Sequence, residues 1–433
     1  MKKRCLRNED RISHLPEALL VHILSLLPTK NVVATSALSK QWRHVWKMVP
    51  KLEFVSYRNK SKHETFSEIV CRVLLSHKAP VLESLHLDFN VDKCDAMVIG
   101  MSIGIAYAHH LRKLVLNVDS MKGDFAFPSS LYKCDTLETL ILMDWVSIDL
   151  SSPVCLKSLR TLRLEDVEYK NDASVVNLLS GCPILENLEV YRSEVDVEIF
   201  TITVPSLQKL TIYDDFNWGD ITEDKIGGYV INAPSLKYLK IQGFKGLQFR
   251  MIEIASELVE AHIDDVDITI DEKLLGSLTS VKRLSLTSSP LEITFPTGSI
   301  FHQLVYLKLS THKADWWNLL LLMLDCSPKL QVLKLVSEMH GDKEYVGCKK
   351  WNQPKNVSEC LMRHLETFVW NGYEEHLGEE KEVAKYILRN ANHLKRATFS
   401  IKDLNSEERL ELLEELESAA RASKSSCKLL LSD

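Results

Sequence analysis

One six-residue phrase, apolar at positions one, four and six, recurs along most of the chain. It reads LESLHL at Leu82, LRKLVL at Leu111, LETLIL at Leu137, LRTLRL at Leu159, LENLEV at Leu185 and LQKLTI at Leu207. It continues as LKYLKI at Leu236, LVEAHI at Leu258, VKRLSL at Val281, LVYLKL at Leu304 and LQVLKL at Leu330, with looser copies LETFVW at Leu365 and LKRATF at Leu394. Successive starts lie 22 to 35 residues apart. The last two apolar positions alternate with polar ones, the period of a short strand with one buried face. Helix-like segments such as Ala173–Ser180 and Trp317–Asp325, together with irregular stretches, separate the strands.

A single unit of this kind cannot bury its own apolar face, whereas stacked units can. The pattern resembles a leucine-rich-repeat array, and thirteen copies make coincidence untenable. The resemblance implies an α/β solenoid with a parallel sheet on its inner, concave side. The copies are irregular, and the family's Asn or Cys just after the strand is not regularly present. The long intervals Tyr213–Asn232 and Ser337–Cys360 predict protruding loops or altered repeats. Cys182 and Cys326 sit in the similar phrases SGCPILE and DCSPKLQ, where the proline stops a helix and the cysteine packs as a small apolar group.

Residues 10–54 lack the phrase and read DRISHLPEALLVHILSLLPTKNVVATSALSKQWRHVWKMVPKLEF. Pro16 suits the first turn of a helix along which Leu19, Leu20, Ile23, Leu24 and Leu27 follow at helical spacing. Val32, Val33 and Ala34 form a second short segment. Ala37–Met48 predicts a third helix, with Leu38, Trp42, Val45 and Trp46 along one side. So small a core cannot hide so many apolar side chains, and the surplus predicts a partner surface. The Leu15-Pro16 pair, the LLVHILSLLP run, and Ser36, Leu38, Ser39, Trp42, Arg43 and Trp46 resemble an F-box. That resemblance implies docking of a Skp-type adaptor and, through it, a cullin-based ubiquitin ligase. Carried over by matching position, Leu15, Pro16, Leu19, Ile23, Leu38, Trp42 and Trp46 are expected to contact the adaptor or support the residues that do.

The C-terminal region carries WNQP at Trp351, then SECL…LETFVWNGY and KEVAKYILRNANHLKRATF. These phrases resemble the FBD domain that follows leucine-rich repeats in many plant F-box proteins. Two repeat-like strands flank a helix over Lys381–Asn390, Glu407–Ala422 is an acidic amphipathic helix, and Lys428–Leu431 suits a last strand. A solenoid must close its apolar end, so the expected role is a cap. The expected division is a tail over 1–9, an F-box over 10–54, repeats over 55–345 and an FBD domain over 346–433.

Composition narrows the classes without altering this picture. The 433 residues are 45% apolar and 26% charged, with 53 Lys plus Arg against 59 Asp plus Glu, a net charge of −6. A mildly acidic chain does not suggest general binding to nucleic acid or membranes. Its longest apolar run, Leu319–Leu324, is core-sized, and Met1–Arg11 lacks the apolar stretch of a secretory signal. Ten scattered cysteines suit an intracellular, reducing compartment, cytoplasm or nucleus; the KKR at Lys2 is too short to decide between them. No glycine-rich phosphate loop, HExxH, CxxC pair or calcium loop is present, so no metal, cofactor or catalytic role is expected. Cys348, between lysines in KEYVGCKK, and the neighbours His109-His110 are isolated groups rather than a site.

One charge pattern stands out. The fifth position of each phrase should project from the strand onto the face opposite the core. There, and at the third position, stand Arg163, Lys209, Lys240, Arg283, Lys308 and Lys334, with Tyr238 and Tyr306 among them and only Glu189 and Glu260 opposing. Ordinary solubility is the favoured explanation of these exposed cations; a surface for an acidic or phosphorylated target segment is the alternative. Trp218, in the polar stretch DDFNWGD, is a further contact candidate. The expected protein is thus a non-catalytic substrate receptor of a Skp–cullin–F-box ligase. The alternative is a binding solenoid whose F-box serves no ligase.

Overall fold

The computed structural model describes residues 12–56, 64–121, 123–194, 196–214, 228–243, 248–254, 257–264, 276–287, 298, 300–311, 316–337, 351–373, 378–401, 406–423 and 425–432. Trp218, Cys348 and the basic start at Lys2 lie outside them. Two compact units divide the chain, Met1–Arg192 and Ser193–Asp433.

The first unit opens with helices α1 (Glu17–Leu24), α2 (Thr29–Ala34) and α3 (Trp42–Val45). It continues through β1 (Lys51–Val55), α4 (Phe66–Ser76), β2 (Ser84–Asn90), α5 (Ala96–Ala108), β3 (Lys113–Asp119), β4 (Phe125–Ala126), β5 (Thr139–Asp144), β6 (Val146–Ile148), β7 (Thr161–Glu165), β8 (Glu168–Tyr169), α6 (Asp172–Ser180) and β9 (Asn187–Arg192). Strands β1, β2, β3, β5, β7 and β9 form a parallel sheet in that order. The register aligns equivalent phrase positions, so Leu85, Leu114, Leu140, Leu162 and Leu188 make one fully buried column. Each such leucine contributes about 1.5–3 kcal/mol by leaving water, which no isolated phrase could realise. Helix starts are set locally. Thr65 and Glu68 form a reciprocal capping box on α4, Asp95 caps α5 and Asn171 caps α6.

The second unit holds β10 (Ile199–Thr203), β11 (Lys209–Asp214), β12 (Gly228–Ala233), β13 (Tyr238–Gln242), β14 (Gln248–Ile254), β15 (Glu260–Asp264), β16 (Arg283–Thr287), β17 (Tyr306–Ser310), α7 (Trp316–Cys326), β18 (Val332–Val336), α8 (Glu359–Arg363), β19 (Thr367–Asn371), α9 (Gly378–Asn390), β20 (Arg396–Ser400), α10 (Ser406–Arg421) and β21 (Lys428–Ser432). Strands β11, β13 and β15 through β21 form its main parallel sheet. Under its last repeats lies an aromatic core. Trp370 is fully buried and meets Trp316 at 5.5 Å, Tyr373 at 5.1 Å and Phe399 at 6.4 Å between ring centroids. Trp317 is buried too, so the Trp316-Trp317 pair packs the interior rather than presenting an anchor. Helix α10 buries Leu412, Leu416, Ala419 and Ala420, and its Glu415 binds Lys381 and Lys385 of α9.

Three sequence expectations need correction. The outer side is not only helical or irregular: β4, β6 and β8 form a small parallel sheet in the first unit, and β10, β12 and β14 another in the second. The interval Tyr213–Asn232 therefore contributes a strand, β12. The expected helix over Ala37–Met48 is broken into a 3-10 turn at Thr35–Ala37, α3, and a second 3-10 turn at Trp46–Met48. Leu38, Ser39, Lys40 and Gln41 are exposed, and no buried stripe holds them helical. Leu27 falls beyond the end of α1 at Leu24.

Candidate functional site

The N-terminal helices sort their apolar residues into two sets. Leu20, Leu24, Val32, Trp42, Val45, Trp46 and Val49 form the small core. Leu19 is 49% exposed, Ile23 41% and Leu38 68%, and Ile12, Leu26 and Leu27 are exposed beside them in sequence. Alternation along α1 explains the split: Leu20 and Leu24 share the inward stripe, Leu19 and Ile23 the adjoining outward one. Pro16 stands at the N-cap just before α1, and its carbonyl accepts from the Leu19 and Leu20 N–H groups at 2.9 and 3.1 Å. Leu15 is half-buried and Pro16 exposed.

Trp42 and Trp46 are only 7% and 8% exposed, so within this chain they brace the module rather than lie open. The Trp42 indole N–H donates to Ser13 Oγ at 3.0 Å, and Gln41 Nε2 donates to the Ser13 carbonyl at 3.1 Å. These bonds tie the segment before α1 to α3. Helix α2 meets the first strand, where the Glu53 N–H donates to Thr29 Oγ1 at 2.7 Å. Ile12 and Leu26 were not singled out by helical periodicity, because both lie outside the helix; only their exposure marks them.

The second candidate region is the sheet face opposite the core. In the first unit, Arg163 is engaged at home. It binds Glu165 at 2.6 Å and approaches Glu189 at 3.9 Å, with its guanidinium 4.8 Å from the Tyr191 ring centre. In the second unit, cations lie against aromatics on neighbouring strands. Lys209 lies 5.5 Å from the Tyr238 ring centre, and Arg283 lies 4.1 Å from that of Tyr306. Strand register places Lys240, His262, Ser285, Lys308 and Lys334 in one cross-strand row. The structure thus brings five of the six expected cations onto one face of the second unit, with Arg163 on the first.

Burial pushes the Cys182 and Cys360 thiols up to about 12, the opposite of an activated nucleophile. Among the described residues no cluster of three or more His, Cys, Asp or Glu is placed to hold a metal ion. No described helix is long and apolar enough to cross a membrane.

A helical module with an exposed leucine row, preceding parallel strands in leucine-rich register, defines a repeat protein of the F-box class. Family models agree along the chain: the F-box domain matches residues 12–54, the LRR repeats of FBD-associated F-box protein At5g56370 match 102–256, and FBD matches 353–399. The F-box/FBD/LRR-repeat protein At4g00160 of Arabidopsis thaliana is 54% identical over 438 residues, covering 98% of this chain and 95% of that one. Its counterpart At3g52680 of the same plant is 53% identical, covering 99% and 95%. The F-box/LRR-repeat protein At3g26922, also of Arabidopsis thaliana, is 64% identical over 68% of this chain and 96% of its own. The chain belongs to the F-box/FBD/LRR-repeat family.

Proposed function

We propose that this chain is the substrate-recognition subunit of a Skp–cullin–F-box ubiquitin ligase, acting inside the cell. The helical module docks a Skp-type adaptor through Leu15, Pro16, Leu19, Ile23 and Leu38, joined by Ile12, Leu26 and Leu27, while Trp42 and Trp46 hold these residues in place. The repeats capture a target protein and the FBD region closes the array. The chain performs no bond chemistry of its own; it supplies proximity and orientation to a ubiquitin-carrying enzyme.

The observation that carries this reading is the row of exposed leucine and isoleucine side chains on a module too small to bury them. Co-purification with a Skp-type adaptor tests it, with Leu15→Ala/Pro16→Ala beside the unaltered chain. A complex that forms with the unaltered chain and is lost in the double variant is the expected result. A folded chain that forms no complex removes the ligase reading and leaves a stand-alone binding solenoid.

A further inference from the structure

The face of the second unit's main sheet is charged in an uneven way. Its cations are Lys209, Lys240, Arg283, Lys308, Lys334, Arg396 and Lys428, and its carboxylates are Glu260 and Asp264. Both carboxylates are already engaged. Glu260 accepts from His262 Nε2 at 2.8 Å and lies 3.7 Å from Arg283 Nε. Asp264 accepts from the Thr287 hydroxyl at 3.0 Å. Among the described residues, Lys240, Lys308 and Lys334 form no ion pair.

Two features set this row apart from ordinary solubilising charge. First, Lys308 and Lys334 stand directly opposite each other on neighbouring strands, and both are half-buried. Like charges so placed repel and cost stability, which exposed lysines scattered on a surface avoid. Second, Ser285, between His262 and Lys308 in the same row, is only 2% exposed, and its hydroxyl has no hydrogen-bond partner among the described residues. An unused buried donor next to the Lys308 ammonium, with Lys334 one strand further on, is the complement of an anionic oxygen.

We propose that this row receives an extended acidic segment of a partner protein, whose carboxylates or phosphoserines sit at Lys308–Lys334 and at Lys240. The spacing fits. With strands about 4.8 Å apart, Lys240 and Lys334 lie four strands or roughly 19 Å apart, a reach of about six extended residues. Tyr238 and Tyr306, held against Lys209 and Arg283, flank the row with apolar surface. This assignment names the class of target and rests on the reading of the repeats as the target-binding part; it does not depend on adaptor docking.

The test uses the full-length chain against an immobilised peptide array graded in net charge from basic to acidic, with phosphoserine versions of the acidic members. Retention is expected to rise with peptide acidity and to fall about tenfold in Lys308→Glu/Lys334→Glu. Lys157→Glu, an exposed lysine of the first unit, leaves it unchanged. Retention independent of peptide charge, or unaffected by the double reversal, overturns the proposal. So does selective binding of free inositol hexakisphosphate in place of any peptide. Melting gives a second reading: Lys308→Met is expected to melt no lower than the unaltered chain, because repulsion is relieved, and a clear drop contradicts an uncompensated lysine pair. Adaptor co-purification of the reversal variant separates the two proposals, since a folded variant keeps the adaptor while losing the peptide.

Discussion

The division of the N-terminal module into core and open apolar residues predicts opposite consequences for residues a few positions apart. Truncating Leu19, Ile23 and Leu38 to alanine removes apolar residues whose exposures of 49, 41 and 68% together amount to the surface of about 1.6 fully exposed residues. Covering that surface with an adaptor is worth about 2.4–4.7 kcal/mol, a loss of affinity of roughly 50-fold to 3,000-fold when it is removed. The fold itself loses little, because these atoms already face water. Trp42→Ala behaves in reverse. It empties a buried site and removes the bond to Ser13, at a cost of about 3–5 kcal/mol to the module. Isothermal titration against a Skp-type adaptor and thermal melting, run on the same preparations, separate the two effects. The triple variant should melt with the unaltered chain yet bind far more weakly, whereas Trp42→Ala should melt early. Unchanged adaptor affinity in the triple variant would refute the assignment of this row.

Two further outcomes test the packing. Gly372 has φ of +71°, and an added Cβ would stand 2.6 Å from the Ser337 carbonyl oxygen, so Gly372→Ala should destabilise the second unit by about 1–3 kcal/mol from backbone strain, with the clash adding to it. Gly100, inside α5 with open space at its Cβ, is the matched control, and Gly100→Ala should gain about 0.5–1 kcal/mol in the same melting experiment. For pH, burial lowers the pKa of His77, outweighing the bond between its Nε2 and the Val49 carbonyl at 2.9 Å, and nearby His109 lowers it further. The unfolded chain therefore takes up the proton first. Stability contributed by neutral His77 is complete above the unfolded value of about 6.5 and is lost as pH falls through the lower folded value. His77→Phe should flatten that part of the stability-against-pH curve; an unchanged slope would assign it to other groups.

The repeat phrase was legible in the sequence because its strands bury one face, and alternation survives even in a five-residue strand such as β17. From it follow the leucine columns and the row through Lys240, Lys308 and Lys334. The outer strands of the first unit were not legible. β4 and β8 are two residues each and β6 three, shorter than any window in which a period can be read. The broken third helix misled for the opposite reason. Leu38, Trp42, Val45 and Trp46 do match helical spacing, but Leu38 turns to solvent and contributes nothing to the stripe. Spacing records which positions are apolar and not which of them find a neighbour. Phrase position places Ser285 on the face opposite the core, but it does not reveal that its hydroxyl is buried there without a hydrogen-bond partner among the described residues.

The two proposed surfaces differ in physical kind, and the difference bears on how each would be used. An exposed row of leucines is costly whenever it meets water and invites nonspecific association, so it suits a partner that stays bound. A lysine row remains soluble when empty, and its attraction acts at a distance, speeds encounter and weakens with salt. Affinity there scales with the number of negative groups presented, so adding or removing one phosphate on a target would change its capture without altering this chain. A receptor built this way holds the apolar contact constant and lets the charged contact vary. The salt dependence of the two interactions should therefore diverge: adaptor binding nearly flat between low and physiological salt, acidic-peptide binding falling steeply. Equal salt dependence for both would contradict this division of roles between the leucine row of the helical module and the lysine row of the second unit.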